Sequence, residues 1–342
     1  MIYFDSDYLE GCHPKIIEEI TKSNMNQYHG YGDDYYTNEA KLLIKNKIKN
    51  EKSDIHFLVG GTQTNFIVIK SALKAYEAVV SADSGHIATH ETGAVESTGH
   101  KVITVNNNDG KIDIDECEKV FKDHFDDDKK EHTPKPKMIY ISHPTESGSL
   151  YTKKELEKLR QIADKYDAYL FLDGARLGYG LASDENDINL CDLATLTDVF
   201  YIGGTKCGAM MGEAVVIQND NLKYEFRYHI KQNGALLAKG RFLGVQFYTL
   251  FNGDLYTRIC ENAIDLSKKI RSAFEQKGFK TLNSPTNQQF IFLDEKTIEK
   301  LSDEFSFETW QKMEDKTLVR FCTSWATKEE NVNRLIERIK QL

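Results

Sequence analysis

The chain has 342 residues, 40% hydrophobic and 28% charged, a composition that can bury a large core and excludes a disordered protein. Its formal charge of −9, with no basic stripe interleaved with aromatics, excludes a nucleic-acid surface and leaves small molecules as the expected partners. Met1-Ile2-Tyr3-Phe4-Asp5 shows neither the cationic nor the apolar region of a signal peptide, no apolar run approaches the roughly 20 residues of a membrane helix, and the six cysteines show no C-x-x-C spacing. The expectation is a cytoplasmic protein with reduced thiols, no membrane contact and no metal.

In chain order, seven short apolar runs predict strands: Ile55–Val59, Ala78–Ser81, Lys101–Val105, Met138–Ser142, Ala168–Leu172, Val199–Ile202 and Ala214–Ile217. Amphipathic segments lie between several of them. In the clearest, Leu156, Leu159, Ile162, Ala163 and Tyr166 recur at three- and four-residue spacing and make one buried stripe. Strands alternating with such helices predict an α/β fold, a mostly parallel seven-stranded sheet with helices on both faces and ligands at the strands' carboxyl ends. The polar tract His124–Lys137 reads as a solvated loop. From about Gly240 a long helical pattern runs to Phe274, followed by short strands at Gln289–Leu293 and Leu318–Cys322 and a closing helix with Val332, Leu335, Ile336 and Ile339 on one face. The expected organisation is an N-terminal segment (1–25), a large domain (26–245) and a smaller C-terminal α/β domain (246–342).

The chemistry concentrates where strands end. Asp173-Gly174-Ala175-Arg176 closes one apolar strand and Gly203-Gly204-Thr205-Lys206 closes another, so a carboxylate and an amine are delivered to one sheet edge. That layout suits pyridoxal 5'-phosphate, whose ring nitrogen is kept protonated by a buried carboxylate while a lysine forms the Schiff base. Each residue alone has a plainer reading, an Asp helix cap or a surface lysine. Gly60-Gly61-Thr62-Gln63-Thr64-Asn65 follows the first strand and opens a helix, where free N–H groups and glycine backbone suit a phosphate. His86 follows the second strand, placed to lie over a cofactor ring.

Taken together, these motifs resemble the low-specificity L-threonine aldolases, pyridoxal phosphate enzymes of the aspartate aminotransferase-like fold (fold type I) within the β-eliminating lyase group. The resemblance runs through Phe4-Asp5-Ser6-Asp7, Tyr31-Gly32-Asp33-Asp34, Gly61-Thr62-Gln63-Thr64-Asn65, Ser84-Gly85-His86-Ile87, Glu91-Thr92-Gly93-Ala94, Asp173-Gly174-Ala175-Arg176, Thr205-Lys206 and Val319-Arg320-Phe321-Cys322-Thr323. It implies that Lys206 carries the cofactor, Asp173 pairs with its ring nitrogen, His86 stacks on the ring, and Gly61 and Thr62 hold the phosphate. It further implies that a basic residue between Lys231 and Arg241, such as Lys239, assists at the phosphate, that Arg176 is also among the cofactor-binding residues, and that Ser6, Arg176 and Arg320 hold the substrate α-carboxylate, arginine forks being suited to bidentate binding. Tyr31 would reach a neighbouring subunit's site, which implies a homodimer or homotetramer with active sites at the interface.

The implied reaction is retro-aldol cleavage of threonine, allo-threonine or a related β-hydroxy-α-amino acid to glycine and an aldehyde. The sequence departs from the resemblance at Ser142-His143-Pro144-Thr145-Glu146-Ser147-Gly148, where many such aldolases carry Asn-Thr-His-Asn. The base for the β-hydroxyl is therefore open among His86, taken first, Glu146, His143 and a water held by them. A β-eliminating lyase or aminotransferase using the same cofactor, and a non-catalytic metabolite-binding protein, are the rival readings.

Overall fold

The computed structural model describes residues 1–342 and is built on a seven-stranded sheet. In chain order its strands are β1 (Asp54–Leu58), β2 (Glu77–Ala82), β3 (Lys101–Val105), β4 (Lys135–Ser142), β5 (Tyr169–Asp173), β6 (Val199–Gly203) and β7 (Glu213–Ile217). Their spatial order is β1-β7-β6-β5-β4-β2-β3, all parallel except β7, which runs against both β1 and β6. All seven expected strands are therefore present, each within a few residues of its expected limits.

Strand residues point alternately to the two faces, and both faces are covered. Val80, Ile139, Ile141, Leu170, Leu172, Phe200 and Ile202 join one core with the stripe Leu156, Leu159, Ile162 and Ala163 of the helix Lys153–Lys165. Their alternate neighbours Val79, Met138, Tyr140, Phe171, Val199 and Tyr201 join a second core with Ile67, Val68 and Ile69 of the helix α1 (Gly61–Ala72). The helix Lys153–Lys165 starts where it does because Thr152 and Glu155 form a reciprocal capping box.

The C-terminal part has its own three-stranded sheet, β8 (Gln288–Leu293), β9 (Glu308–Lys312) and β10 (Thr317–Cys322), in the order β8-β10-β9. Leu266, Ile270, Ile291, Val319, Val332, Leu335 and Ile339 form its core, and Phe4 from the amino terminus is buried with them. Ile2–Tyr3 adds to this region as a short strand, pairing in parallel with Phe305–Ser306.

Three local expectations change. His124–Lys137 is not one loop: a helix whose Cys117 and Phe121 are buried continues to Asp126, and β4 begins at Lys135, paired with Glu77. The long helical pattern after Gly240 is two helices, Arg241–Phe251 and Leu255–Gln276, interrupted at Gly253, whose φ of 103° a continuing helix cannot accommodate. The strand β9 is mostly solvent-facing polar sequence and gave no hydrophobic pattern to read. No helix is long and apolar enough to cross a membrane.

Candidate active site

Because β1, β2, β4, β5 and β6 are parallel, their carboxyl ends open on one edge of the sheet. There they enclose a cavity of about 180 Å³ lined by Gly60, Gly61 and Thr62 after β1, His86 after β2, Pro144 and Glu146 after β4, Asp173 and Arg176 at β5, Lys206 after β6, and Glu213 at the start of β7. Two glycines allow the β5 and β6 ends to abut. A Cβ on Gly174 would lie 2.0 Å from the carbonyl oxygen of Tyr201, and one on Gly203 would lie 2.2 Å from that of Ala175. The Gly203 N–H donates to the Gly174 carbonyl at 2.9 Å, so the turns bearing Asp173 and Lys206 are tied together.

Asp173 is buried and its carboxylate accepts four hydrogen bonds. Tyr201 Oη (2.5 Å) and Ala175 N (3.0 Å) donate to Oδ1, and Tyr140 Oη (2.5 Å) and Asn65 Nδ2 (3.0 Å) donate to Oδ2. The two tyrosines stand on flanking strands and point to the same face as Asp173 by the period-two rule. Burial pushes the Asp173 pKa up, but the His86 charge and these donors outweigh it and hold the carboxyl below its ordinary range. Asp173 is thus a fixed anion in a low-dielectric wall.

His86 Nδ1 meets Oε1 of the buried Glu91 at 2.7 Å. Burial acts to lower the His86 pKa, yet the Glu91 hydrogen bond and the nearby Asp173 charge prevail and raise it. Lys206 moves the other way: burial first, and the Arg176 charge second, depress its pKa, which favours the free amine a Schiff-base lysine needs. Glu146 receives a hydrogen bond from Ser142 Oγ at 2.7 Å, and burial beside Asp173 raises its pKa.

The remaining expected site residues separate into groups. Arg176 reaches the cavity, but its fork is held by buried Asp7, with Nε to Oδ2 at 2.7 Å and Nη2 to Oδ1 at 3.1 Å. Ser6 is buried beside Asp7. Arg320, on β10, is not among the residues lining the cavity: Nη1 donates to Gln288 Oε1 at 2.7 Å, Nη2 to the Asp5 carbonyl at 3.0 Å, and Glu308 pairs with Nη2. Tyr31 and Lys239 do not line this cavity. Tyr31 lies under the Lys231 ammonium, 4.8 Å from its ring centre, and its N–H donates to the Ala238 carbonyl, next to exposed Lys239. His143 points away from the cavity: Tyr151 N donates to its Nδ1 at 3.3 Å, and burial lowers its pKa to about 4. Asn65, Tyr140 and Tyr201, which complete the Asp173 cradle, were not singled out from sequence. Both tyrosines lie inside expected strands, Met138–Ser142 and Val199–Ile202, and only the strand alternation, carried one residue past Leu172 to Asp173, would have pointed to them.

A family profile described as beta-eliminating lyase matches residues 4–296. The chain belongs to the beta-eliminating lyase family. Among its relatives, the chain is 29% identical to a low specificity L-threonine aldolase of a Pseudomonas strain, over 98% of its own length and 96% of the relative's. A threonine aldolase from Leishmania major superposes with a TM-score of 0.97 at 41% identity, covering 100% of this chain and 99% of that one. An aspartate aminotransferase from Thermus thermophilus superposes with a TM-score of 0.72 at 16% identity over 100% of this chain and 91% of that one, which fixes the fold as the fold-type-I, aminotransferase-like one expected.

The residues present fit pyridoxal phosphate. The helix α1 opens at Gly60 without any side-chain cap, so its first N–H groups are available to a phosphate, and a Cβ on Gly60 would meet no protein atom within 4 Å. A fixed anion and a lysine of depressed pKa face the same space.

Proposed function

We propose that the chain is a pyridoxal phosphate-dependent aldolase that cleaves threonine, allo-threonine or a related β-hydroxy-α-amino acid to glycine and an aldehyde. The observation that carries this reading is the convergence of anionic Asp173 and pKa-depressed Lys206 on one cavity that begins at an uncapped helix N-terminus. When bound, the cofactor supplies an electron sink for the pair released from the broken Cα–Cβ bond.

In this reading Lys206 attaches the cofactor, Asp173 holds the ring-nitrogen proton, and Gly61 and Thr62 cradle the phosphate. His86 lies against the ring. Its Nδ1 is committed to Glu91, whose hydrogen bond, with the nearby Asp173 charge, raises its pKa against the effect of burial. That moves the base to Glu146, whose carboxylate is desolvated at the cavity wall and made more basic by it. Glu146 takes the β-hydroxyl proton as the Cα–Cβ bond opens. Arg320 supplies the carboxylate fork, with Ser6 beside it, and Arg176 acts through Asp7 to complete the electrostatics around Lys206.

Tyr31 and Lys239 share an exposed patch away from this cavity, which supports a homo-oligomer in which that patch faces a neighbouring subunit's phosphate site. All six cysteines are free thiols, in keeping with a cytoplasmic setting.

The test is incubation of the holoenzyme with threonine, allo-threonine and phenylserine. Glycine with acetaldehyde or benzaldehyde supports the reading. Ammonia with a keto acid, or amino transfer to an added keto acid, assigns the site to elimination or transamination instead.

A further inference from the structure

Of the carboxyls that line the cavity, Glu146, Asp173 and Glu213, the chemistry proposed above leaves the last without a task. Glu213 opens β7, paired with Gly203 on one side and Leu58 on the other, so it stands between the turn that carries Lys206 and the turn that leads into Gly60 and Gly61. It is only 3% exposed and it lines the cavity. Gly204 N donates to its Oε2 at 3.0 Å and Thr205 Oγ1 donates to its Oε1 at 2.9 Å. Gly212 N in turn donates to Thr205 Oγ1 at 2.9 Å, so the threonine's own proton is directed to Glu213.

Both bonded neighbours of Glu213 are donors. With Gly204 N and Thr205 Oγ1 both donating to it, a proton carried by Glu213 is free to face the cavity it lines. The charged groups that share this space are Lys206 from the same turn, Asp173 and Arg176 from the β5 end, His86 after β2 and Glu146 after β4. Burial is the largest influence on Glu213 and pushes its pKa up to about 8. Thr205, Gly204 and Lys206 act against the rise and Asp173 adds to it. A dianionic phosphate at Gly61 and Thr62 would be repelled by a carboxylate here and would accept a hydrogen bond from a carboxylic acid.

We propose that Glu213 is a proton-carrying positioning residue for the phosphate end of the cofactor, and that binding of the dianionic phosphate moves one proton from water onto its carboxylate. The proposal rests on the reading that this cavity binds pyridoxal phosphate. It makes Glu213 hold the Lys206 turn through Gly204 and Thr205 while presenting a donor to the phosphate.

The experiment uses apoenzyme and pyridoxamine 5'-phosphate, which cannot form a Schiff base with Lys206 and whose phosphate is already dianionic well above its second pKa of about 6. Calorimetry in buffers of different ionisation enthalpy, from pH 7 to 9.5, counts protons taken up. The wild type is expected to take up a proton increasingly above pH 8, with Kd rising toward tenfold per pH unit. Because Asp173 would also keep the ring nitrogen protonated on binding, the comparison is by difference: Glu213→Gln, neutral at every pH, is expected to take up fewer protons than the wild type above pH 8, and Lys206→Ala is expected to keep the wild-type uptake. Binding by the wild type without proton uptake, or uptake in Glu213→Gln equal to the wild type's, or its loss in Lys206→Ala, overturns the proposal while leaving the cofactor assignment intact. No binding at all overturns both.

Discussion

The carboxylates of Glu91 and Asp173 share a single amide: Asn65 Nδ2 donates to Glu91 Oε1 at 2.7 Å and to Asp173 Oδ2 at 3.0 Å. Because Glu91 also holds His86, the group expected over the cofactor ring and the group expected at its nitrogen belong to one buried hydrogen-bonded chain. Such chains are worth more intact than their bonds taken singly. The first prediction follows from it. Glu91→Gln removes the charge that raises the His86 pKa, so His86 titrates at lower pH, as a histidine NMR titration would show. In the sign of linkage, a raised folded-state pKa contributes stability present below the unfolded value of about 6.5 and lost as pH rises through the folded one. Glu91→Gln is therefore expected to be destabilised more at pH 5.5 than at pH 8.5, and equal loss at both would place the effect outside His86.

Lys206→Ala is expected to abolish turnover while leaving the fold unchanged, because the amine faces a cavity and not the core. Loss of the protein-bound cofactor's visible absorption band, with an unchanged circular dichroism spectrum, checks it. A retained native band means that another amine carries the cofactor.

Asp173→Asn keeps the shape of the cradle and removes its charge. Cofactor content is expected to hold while kcat falls by about a hundredfold or more, the order of loss seen when one preorganised charge-stabilising group is removed. Wild-type kcat in a fully loaded variant refutes the pairing with the ring nitrogen.

Arg320→Lys replaces a planar fork, now held by Gln288, Asp5 and Glu308, with a point charge. We expect KM for the amino acid to rise on the order of tenfold, equivalent to about 1.4 kcal/mol of binding. Steady-state kinetics with unchanged KM would remove Arg320 from the carboxylate site.

The base is tested by two variants side by side. Glu146→Gln is expected to lose cleavage at full cofactor content, and in the wild type the acid limb of the rate profile should sit above the ordinary carboxylate range because burial raises that pKa. His86→Asn is expected to lose less rate and to keep the acid limb. The opposite pattern returns the role to His86.

How much of this was legible beforehand depended on what each residue answers to. The seven strands follow from short-range hydrophobic runs, and Asp173 and Lys206 stand out because a charged residue ends each run. The plan of the site was legible for the same reason. Its electrostatics were not: whether His86 keeps or takes a proton depends on Glu91, five residues on and folded back, and on Asn65 from another helix. Arg176 could be placed at the cavity from sequence, but its pairing with Asp7 joins residues 169 positions apart and leaves no local pattern. His143 lies beside the cavity in sequence and behind it in space because the chain after β4 turns its ring toward Tyr151.

The pairing of Ile2 with Phe305, and the burial of Phe4 among C-terminal core residues, sets an order of assembly. The chain through Phe305 must emerge from the ribosome before Ile2 can find its partner strand, a contact of very high sequence separation whose loop-closure entropy is met late. Until then Phe4 remains solvent-exposed beside Asp7, whose carboxylate meets Arg176 in the finished site. The last region to close during synthesis is thus joined directly to the electrostatics of Lys206, and a chain cut short before Phe305 would be expected to leave the active site incomplete even with every strand of the large sheet in place.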